Sequence, residues 1–94
     1  MKGDEFDWDD AKASLNRRKH RVSFEEASTI FDDPNRLTEY DVDHSDVEDR
    51  WLLIGLSNRF RLLTVAYTKR NEKIRIISAR RANQRETRRY AGET

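Results

Sequence analysis

The stretch that decides the fold lies between Arg50 and Arg81. It reads Arg50-Trp51-Leu52-Leu53-Ile54-Gly55-Leu56, then Leu62-Leu63-Thr64-Val65-Ala66-Tyr67-Thr68, then Ile74-Arg75-Ile76-Ile77-Ser78-Ala79, closing on Arg80-Arg81. The runs are apolar and rich in β-branched or aromatic residues, the types that pack well on a pleated surface. Ser57-Asn58-Arg59 and Asn71-Glu72-Lys73 lie between them and favour tight turns. Strands joined this closely run antiparallel, because a parallel crossover needs about a dozen residues or more. A weaker run, 37–41, adds a fourth strand. The expected centre is an antiparallel four-stranded sheet. In the last strand Ile74, Ile76 and Ser78 alternate against Arg75, Ile77 and Ala79. Continued, that alternation puts Arg80 on the side of Ser78 and turns Arg75 and Arg81 the other way.

Upstream, Ser23-Phe24-Glu25-Glu26 reads as a capping box that opens a helix to about residue 31. Phe24, Ala27, Ile30 and Phe31 supply its buried face, and Asp32-Asp33-Pro34 stops it. Before it, Asp9 or Asp10 caps a helix running to about His20. Trp8, Ala11 and Leu15 would form its apolar face, with Lys12, Asn16, Lys19 and His20 as a polar stripe. Residues 4–8 can add a short N-terminal edge strand. Downstream, residues 82–90 make a very polar C-terminal helix that ends near Gly92. The expected architecture is α+β: two N-terminal helices, the sheet, and a C-terminal helix, in two layers. Only one proline and three glycines punctuate the chain, and no linker or repeat stands out, so residues 1–94 read as one domain. Trp8, Phe24, Phe31 and Trp51 are assigned to the core.

Of the 94 residues, 39% are charged and 35% hydrophobic, which leaves a small core; the 10% that are aromatic argue against disorder. There is no cysteine, which excludes disulfides, thiol catalysis and cysteine-based zinc sites. No long apolar run is present, so no membrane role is expected and the cytoplasm is the expected compartment. The net charge of +1 conceals an asymmetry: residues 1–49 hold 7 basic and 15 acidic groups, residues 50–94 hold 12 and 3. A basic half is the footprint of a phosphate-bearing or acidic partner. The alternative is that the two halves neutralise each other in the fold.

Three blocks then carry a family pattern. Trp8-Asp9 with Lys12, Asn16, Lys19, His20 and Val22-Ser23-Phe24-Glu25-Glu26-Ala27 is the first. Ile54-Gly55-Leu56-Ser57, ending the strand that Arg50 opens, is the second. Ile74-Arg75-Ile76-Ile77-Ser78-Ala79-Arg80-Arg81-Ala82, with Glu86 and Tyr90, is the third. In this order, over roughly residues 5–90, they resemble the BrnT family. The resemblance implies the toxin half of a type II toxin–antitoxin system, with a fold similar to the RelE-type microbial ribonucleases. It implies RNA cleavage that arrests translation. It also implies a BrnA-type antitoxin that binds the toxin in a hetero-oligomer and carries the DNA-binding module, so that DNA is met only through the antitoxin. The complex is expected to repress its own operon. One departure is visible: Arg21 stands where the family usually has a glycine helix cap.

RNA brings its own nucleophile, the 2′-hydroxyl. Cutting it without a metal needs a base for that proton, an acid for the leaving 5′-oxygen, and cations near the phosphate. Arg80, at the end of the last strand, offers a planar fork matched to phosphate; the alternative is a salt bridge to Glu86 or to an N-terminal carboxylate. His20 can exchange a proton near neutrality, or simply stabilise a helix end. Lys19, Arg50 and Tyr90 complete the candidate catalytic set, and Lys12, Arg75 and Arg81 are candidate RNA-binding residues. Tyr67 shares a strand face with Leu63 and Val65 and is read as core. The acidic residues of 41–49 lack calcium-loop spacing; they and His44 are read as surface, or as an antitoxin contact, and no metal or cofactor is expected. Arg80→Ala is expected to abolish cleavage and leave the fold intact. The competing reading is a non-catalytic basic module for RNA or an acidic protein. A DNA-binding repressor is less well supported, since no helix-turn-helix signature is present.

Overall fold

The computed structural model describes residues 5–93. Its elements are β1 (Phe6–Asp7), α1 (Asp10–His20), α2 (Phe24–Thr29), β2 (Leu37–Tyr40), β3 (Trp51–Leu56), β4 (Leu62–Arg70), β5 (Lys73–Arg81) and α3 (Gln84–Tyr90), with single 3-10 turns at Ile30–Asp32 and Val42–His44. The sheet order is β1-β5-β4-β3-β2. β2 to β5 pair antiparallel, as their short connections require. β1 corrects the expected sheet. It is a fifth strand and runs parallel to β5, pairing Phe6 with Ile74 and Asp7 with Arg75, so the sheet is five-stranded and mixed. The whole intervening chain separates these two strands, so no hairpin forces them antiparallel. Of the expected edge strand, residue 4 lies outside the described residues.

The β4–β5 turn holds Asn71 and Glu72 at φ 50° and 64°. Two successive left-handed residues match the twist of the strands they join. Further along, the pairing slips: Ala66 faces Ser78, but Tyr67 faces Ile76, so Ile77 is an extra residue in a β-bulge. Residues paired across strands share a face. Thr68 faces Arg75, Ala66 faces Ser78 and Thr64 faces Arg80, so these three β5 residues lie on one face. Strict alternation had turned Arg75 away from Arg80; the bulge returns it. Arg81 faces Leu63 and so lies on the opposite side, as expected.

That opposite side carries the core. Leu53, Leu63, Val65, Tyr67, Ile76 and Ala79 pack under Trp8 and the helix residues Phe24 and Ala27, with Val22 and Ile30. Phe31 and Trp51 are partly buried against it. α3 lies on the other face, where Glu86 reaches Thr64, so the helices are split between the faces instead of forming one layer. The buried side of α1 also differs from the expected one. Leu15 is 55% exposed and Ala11 is exposed, whereas Asn16 is buried. The reason is what lies opposite. Asn16 meets strand backbone: its amide nitrogen donates to the carbonyls of Val22 and Ala79, and its oxygen accepts the Ala79 N–H. An apolar side chain there would leave those groups unpaired.

Asp9 caps α1 by accepting from the N–H groups of Ala11 and Lys12. Arg21 ends it at φ 61°, the left-handed cap that glycine usually supplies. Ser23 accepts the Glu26 N–H, but the Glu26 carboxylate does not return to Ser23; it is bound by Arg61 and Ser57. The full capping box is at α3, between Asn83 and Glu86. No helix among the described residues is long and apolar enough to cross a membrane.

Candidate functional site

Arg80 is held by α3. Its Nη1 and Nη2 donate to Oε1 and Oε2 of Glu86 at 2.7 and 2.9 Å, a two-point guanidinium–carboxylate pair. Thr64 Oγ1 and the Asn83 N–H both donate to Glu86 Oε1 at 2.9 Å. Glu86 is 2% exposed, while the Arg80 side chain is 39% exposed, so the inner edge of the fork is fixed and the outer surface meets solvent. Burial pushes the Glu86 carboxyl up, but the hydrogen bonds from Arg80, Asn83 and Thr64 outweigh it and bring it down to about 2. The bond to Glu86 correspondingly raises Arg80 above its already high value. A permanent cation with a fixed orientation can meet a phosphate without losing further side-chain freedom.

The pairing revises one expectation. Arg80→Ala would leave Glu86 buried without its cation, which is strongly destabilising, so that variant does not test chemistry alone.

Along the same sheet face, beside the bulge residue Ile77, lies a small cavity of about 80 Å³ near the start of β5. Lys12, Arg50, Arg70 and Arg75 surround it, with Asp9 and Glu48. Arg75 Nη1 is 2.6 Å from Asp7 Oδ2, and Arg70 Nη2 is 3.0 Å from Glu48 Oε1. The Arg70 bond holds the Glu48 carboxyl below its usual range. Lys12 and Arg50 carry no ion pair among the described residues. The cavity therefore gathers three of the candidates, Lys12, Arg50 and Arg75, around an excess of positive charge.

The remaining candidates do not join it. Lys19 and the half-buried His20 sit in the last turn of α1, with no ion pair among the described residues. Arg81 is exposed at the rim of the core face. The Tyr90 hydroxyl donates to Asp33 Oδ2 at 2.6 Å, which raises the Tyr90 pKa. Asp33 also accepts the N–H groups of Leu56 and Asn35, so Tyr90 fastens α3 to the end of β3. Tyr67 is buried among aromatic neighbours, as read. His44 lies at the surface, 3.0 Å from Asp41. Among the described residues no group of three or more His, Cys, Asp or Glu side chains could hold a metal ion.

Sequence reasoning weighed the Arg80–Glu86 pair but missed Thr64 and Asn83. Asn83 followed three residues later by Glu86 is the signal that could have found the buried carboxylate.

A family model described as "Ribonuclease toxin, BrnT, of type II toxin-antitoxin system" matches residues 8–86. The 1.1 Å crystal structure of the Brucella abortus ribonuclease toxin, BrnT, resembles this chain with a TM-score of 0.62 and 22% sequence identity, over 85% of this chain and 97% of that one. At that identity the structural likeness shows the fold. No curated protein matches the chain.

Proposed function

The chain belongs to the BrnT family, the ribonuclease toxins of type II toxin–antitoxin systems, and from that premise we propose that it cleaves RNA without a metal ion, at a site centred on Arg80. The observation that carries this reading is the Arg80–Glu86 pair, which presents a fixed, half-exposed guanidinium on a sheet face. The 2′-hydroxyl attacks the adjacent phosphorus, the 5′-oxygen leaves, and negative charge grows on the phosphoryl oxygens. Arg80 meets that charge where it forms. Lys12, Arg50 and Arg75 bind the backbone along the same face. Lys19 and His20 supply the ionisable groups for proton transfer. Tyr90 acts through Asp33 as a latch on α3. Side chains supply all the cations, so the reaction proceeds in a chelator. We read the architecture as RelE-type and the consequence of cleavage as arrested translation. A BrnA-type antitoxin neutralises the toxin, and the complex represses its own operon.

The test is Arg80→Lys, which keeps the charge beside Glu86 and loses the fork. With EDTA present, the wild type is expected to shorten RNA. The variant, shown folded by circular dichroism, should cut about a hundredfold more slowly, the size of effect seen when one preorganised donor is lost. A folded Arg80→Lys protein cutting at the wild-type rate would remove the fork from the mechanism. RNA bound but never shortened by the wild type would favour a binding module.

A further inference from the structure

Two non-glycine residues near one end of the sheet adopt left-handed backbone: Arg21 at φ 61° after α1, and Phe60 at φ 60° in the β3–β4 turn. Glycine would hold either conformation without the steric cost of a side chain. The fold uses their backbones. The Arg21 N–H donates to the Arg17 carbonyl, the Arg21 carbonyl accepts from Arg61 Nη2, and the Phe60 N–H donates to the Ser57 carbonyl. It does not use their side chains. Phe60 is 85% exposed, and Arg21 is exposed with no ion pair among the described residues. A cost met by the backbone with no return from the side chain points to a use outside the molecule.

The surroundings say what kind of use. Arg17, Arg21, Arg59 and Arg61 line one open cleft of about 440 Å³ with Glu25 and Glu26. Glu26 is bound by Arg61 and Ser57, and Arg59 is near enough to lower its carboxyl further. Arg17, Arg21 and Arg59 are exposed and carry no ion pair within 4 Å among the described residues, so the cleft sets four guanidiniums against the two carboxylates of Glu25 and Glu26. Phe60 follows Arg59 directly. Arginines for phosphates beside a flat, exposed ring for a base are the combination that holds single-stranded nucleic acid. An acidic polypeptide would use the arginines but would need an apolar side chain of its own at the right spacing for the ring, whereas every base carries a face that stacks.

The cleft also borders the proposed site. The β3–β4 turn closes at Leu56 and Leu62, and the next pairs on β4 bring in the end of β5: Leu63 with Arg81 and Thr64 with Arg80. Arg81 is exposed at this rim, so cations continue from Arg80 on one face to the cleft on the other.

We propose that Arg17, Arg21, Arg59 and Phe60 form a subsite for single-stranded RNA, in which the arginines hold backbone phosphates and Phe60 stacks on a base, beyond the site at Arg80. This inference rests on RNA being the substrate.

Arg21→Gly and Phe60→Gly remove the side chains and relieve the backbone at once, so both variants should melt at or above the wild-type temperature while binding RNA less well. The probe is a mixed-sequence 2′-O-methyl oligoribonucleotide, which has no free 2′-hydroxyl and cannot be cut. Phe60→Gly is expected to weaken its binding by about fivefold to a hundredfold, the range for one base–aromatic stack. Arg21→Gly and Arg59→Ala should each flatten the slope of log affinity against log salt by about 0.7. Variants that bind the oligonucleotide like wild type, with the wild type still cutting RNA, overturn the subsite and leave the function standing. Loss of affinity for polyglutamate but not for the oligonucleotide also overturns it, in favour of an acidic protein. A wild type that neither binds nor cuts RNA overturns both readings.

Discussion

Glu86 shows how one buried charge ties structure to chemistry. Its ordinary carboxyl value is 4.5, and the folded protein brings it down to about 2. A carboxylate depressed in this way stabilises the fold above its unfolded value, and the stabilisation disappears as pH falls from about 4.5 towards 2. The difference corresponds to something on the order of 3 kcal/mol. Glu86→Gln should therefore unfold at lower urea than wild type near neutral pH, and the gap should narrow towards about pH 3. A constant gap across that window would mean that the ionised pair is not its source. The pair was one of two alternatives legible from sequence; only the fold shows that Arg80 can be anchored and exposed together. Asn16 was illegible for the opposite reason. A polar residue in a polar stripe gives no sign that strand backbone lies across from it.

At the scale of elements, α3 is fastened at three places. Glu86 binds Arg80 and Thr64, Tyr90 binds Asp33, and Arg85 and Arg89 approach Glu39 on β2. The Tyr90 bond is the one that can be removed with least change of shape. Tyr90→Phe should cost about 1.5–3 kcal/mol, as for a hydrogen bond to a charged acceptor, and should speed amide exchange in α3 before the rest of the protein. If Tyr90→Phe slows RNA cleavage with no change in α3 exchange, the hydroxyl belongs to the reaction instead of the latch. The strands of the hairpin meander were legible because their connections are short and their composition is strong. The bulge was not. Ile76 and Ile77 are both apolar, so the sequence does not mark which is the extra residue, and the facing of Arg75 depended on it. β1 was foreseen only as a possible edge, because its partner in β5 lies far along the chain.

Across the whole molecule, the lopsided charge finds two uses. Arg61, Arg70, Arg75, Arg85 and Arg89 of the basic half pair with Glu26, Glu48, Asp7 and Glu39 of the acidic half. Mutual neutralisation, one of the two readings open from composition, is therefore part of the architecture. Of the cations outside these pairs, Lys12 and Arg50 lie at the bulge cavity and Arg17, Arg21 and Arg59 at the cleft beside the β3–β4 turn. Composition counts charges and cannot place them, so the asymmetry left an anionic partner and mutual neutralisation both open.

The outer side of β5 has a consequence that appears only when many copies meet. β1 covers it at Ile74 and Arg75, and the amide of Asn16 stands in for a strand at Ala79. Uncovered strand backbone recruits the backbone of another chain. Asn16 thus acts as a stopper against sheet growth from molecule to molecule. Asn16→Leu, with a more apolar helix and a bare Ala79, is expected to scatter light increasingly with concentration while the native chain stays monodisperse. A clear, monodisperse Asn16→Leu solution would show that the edge is guarded by something else.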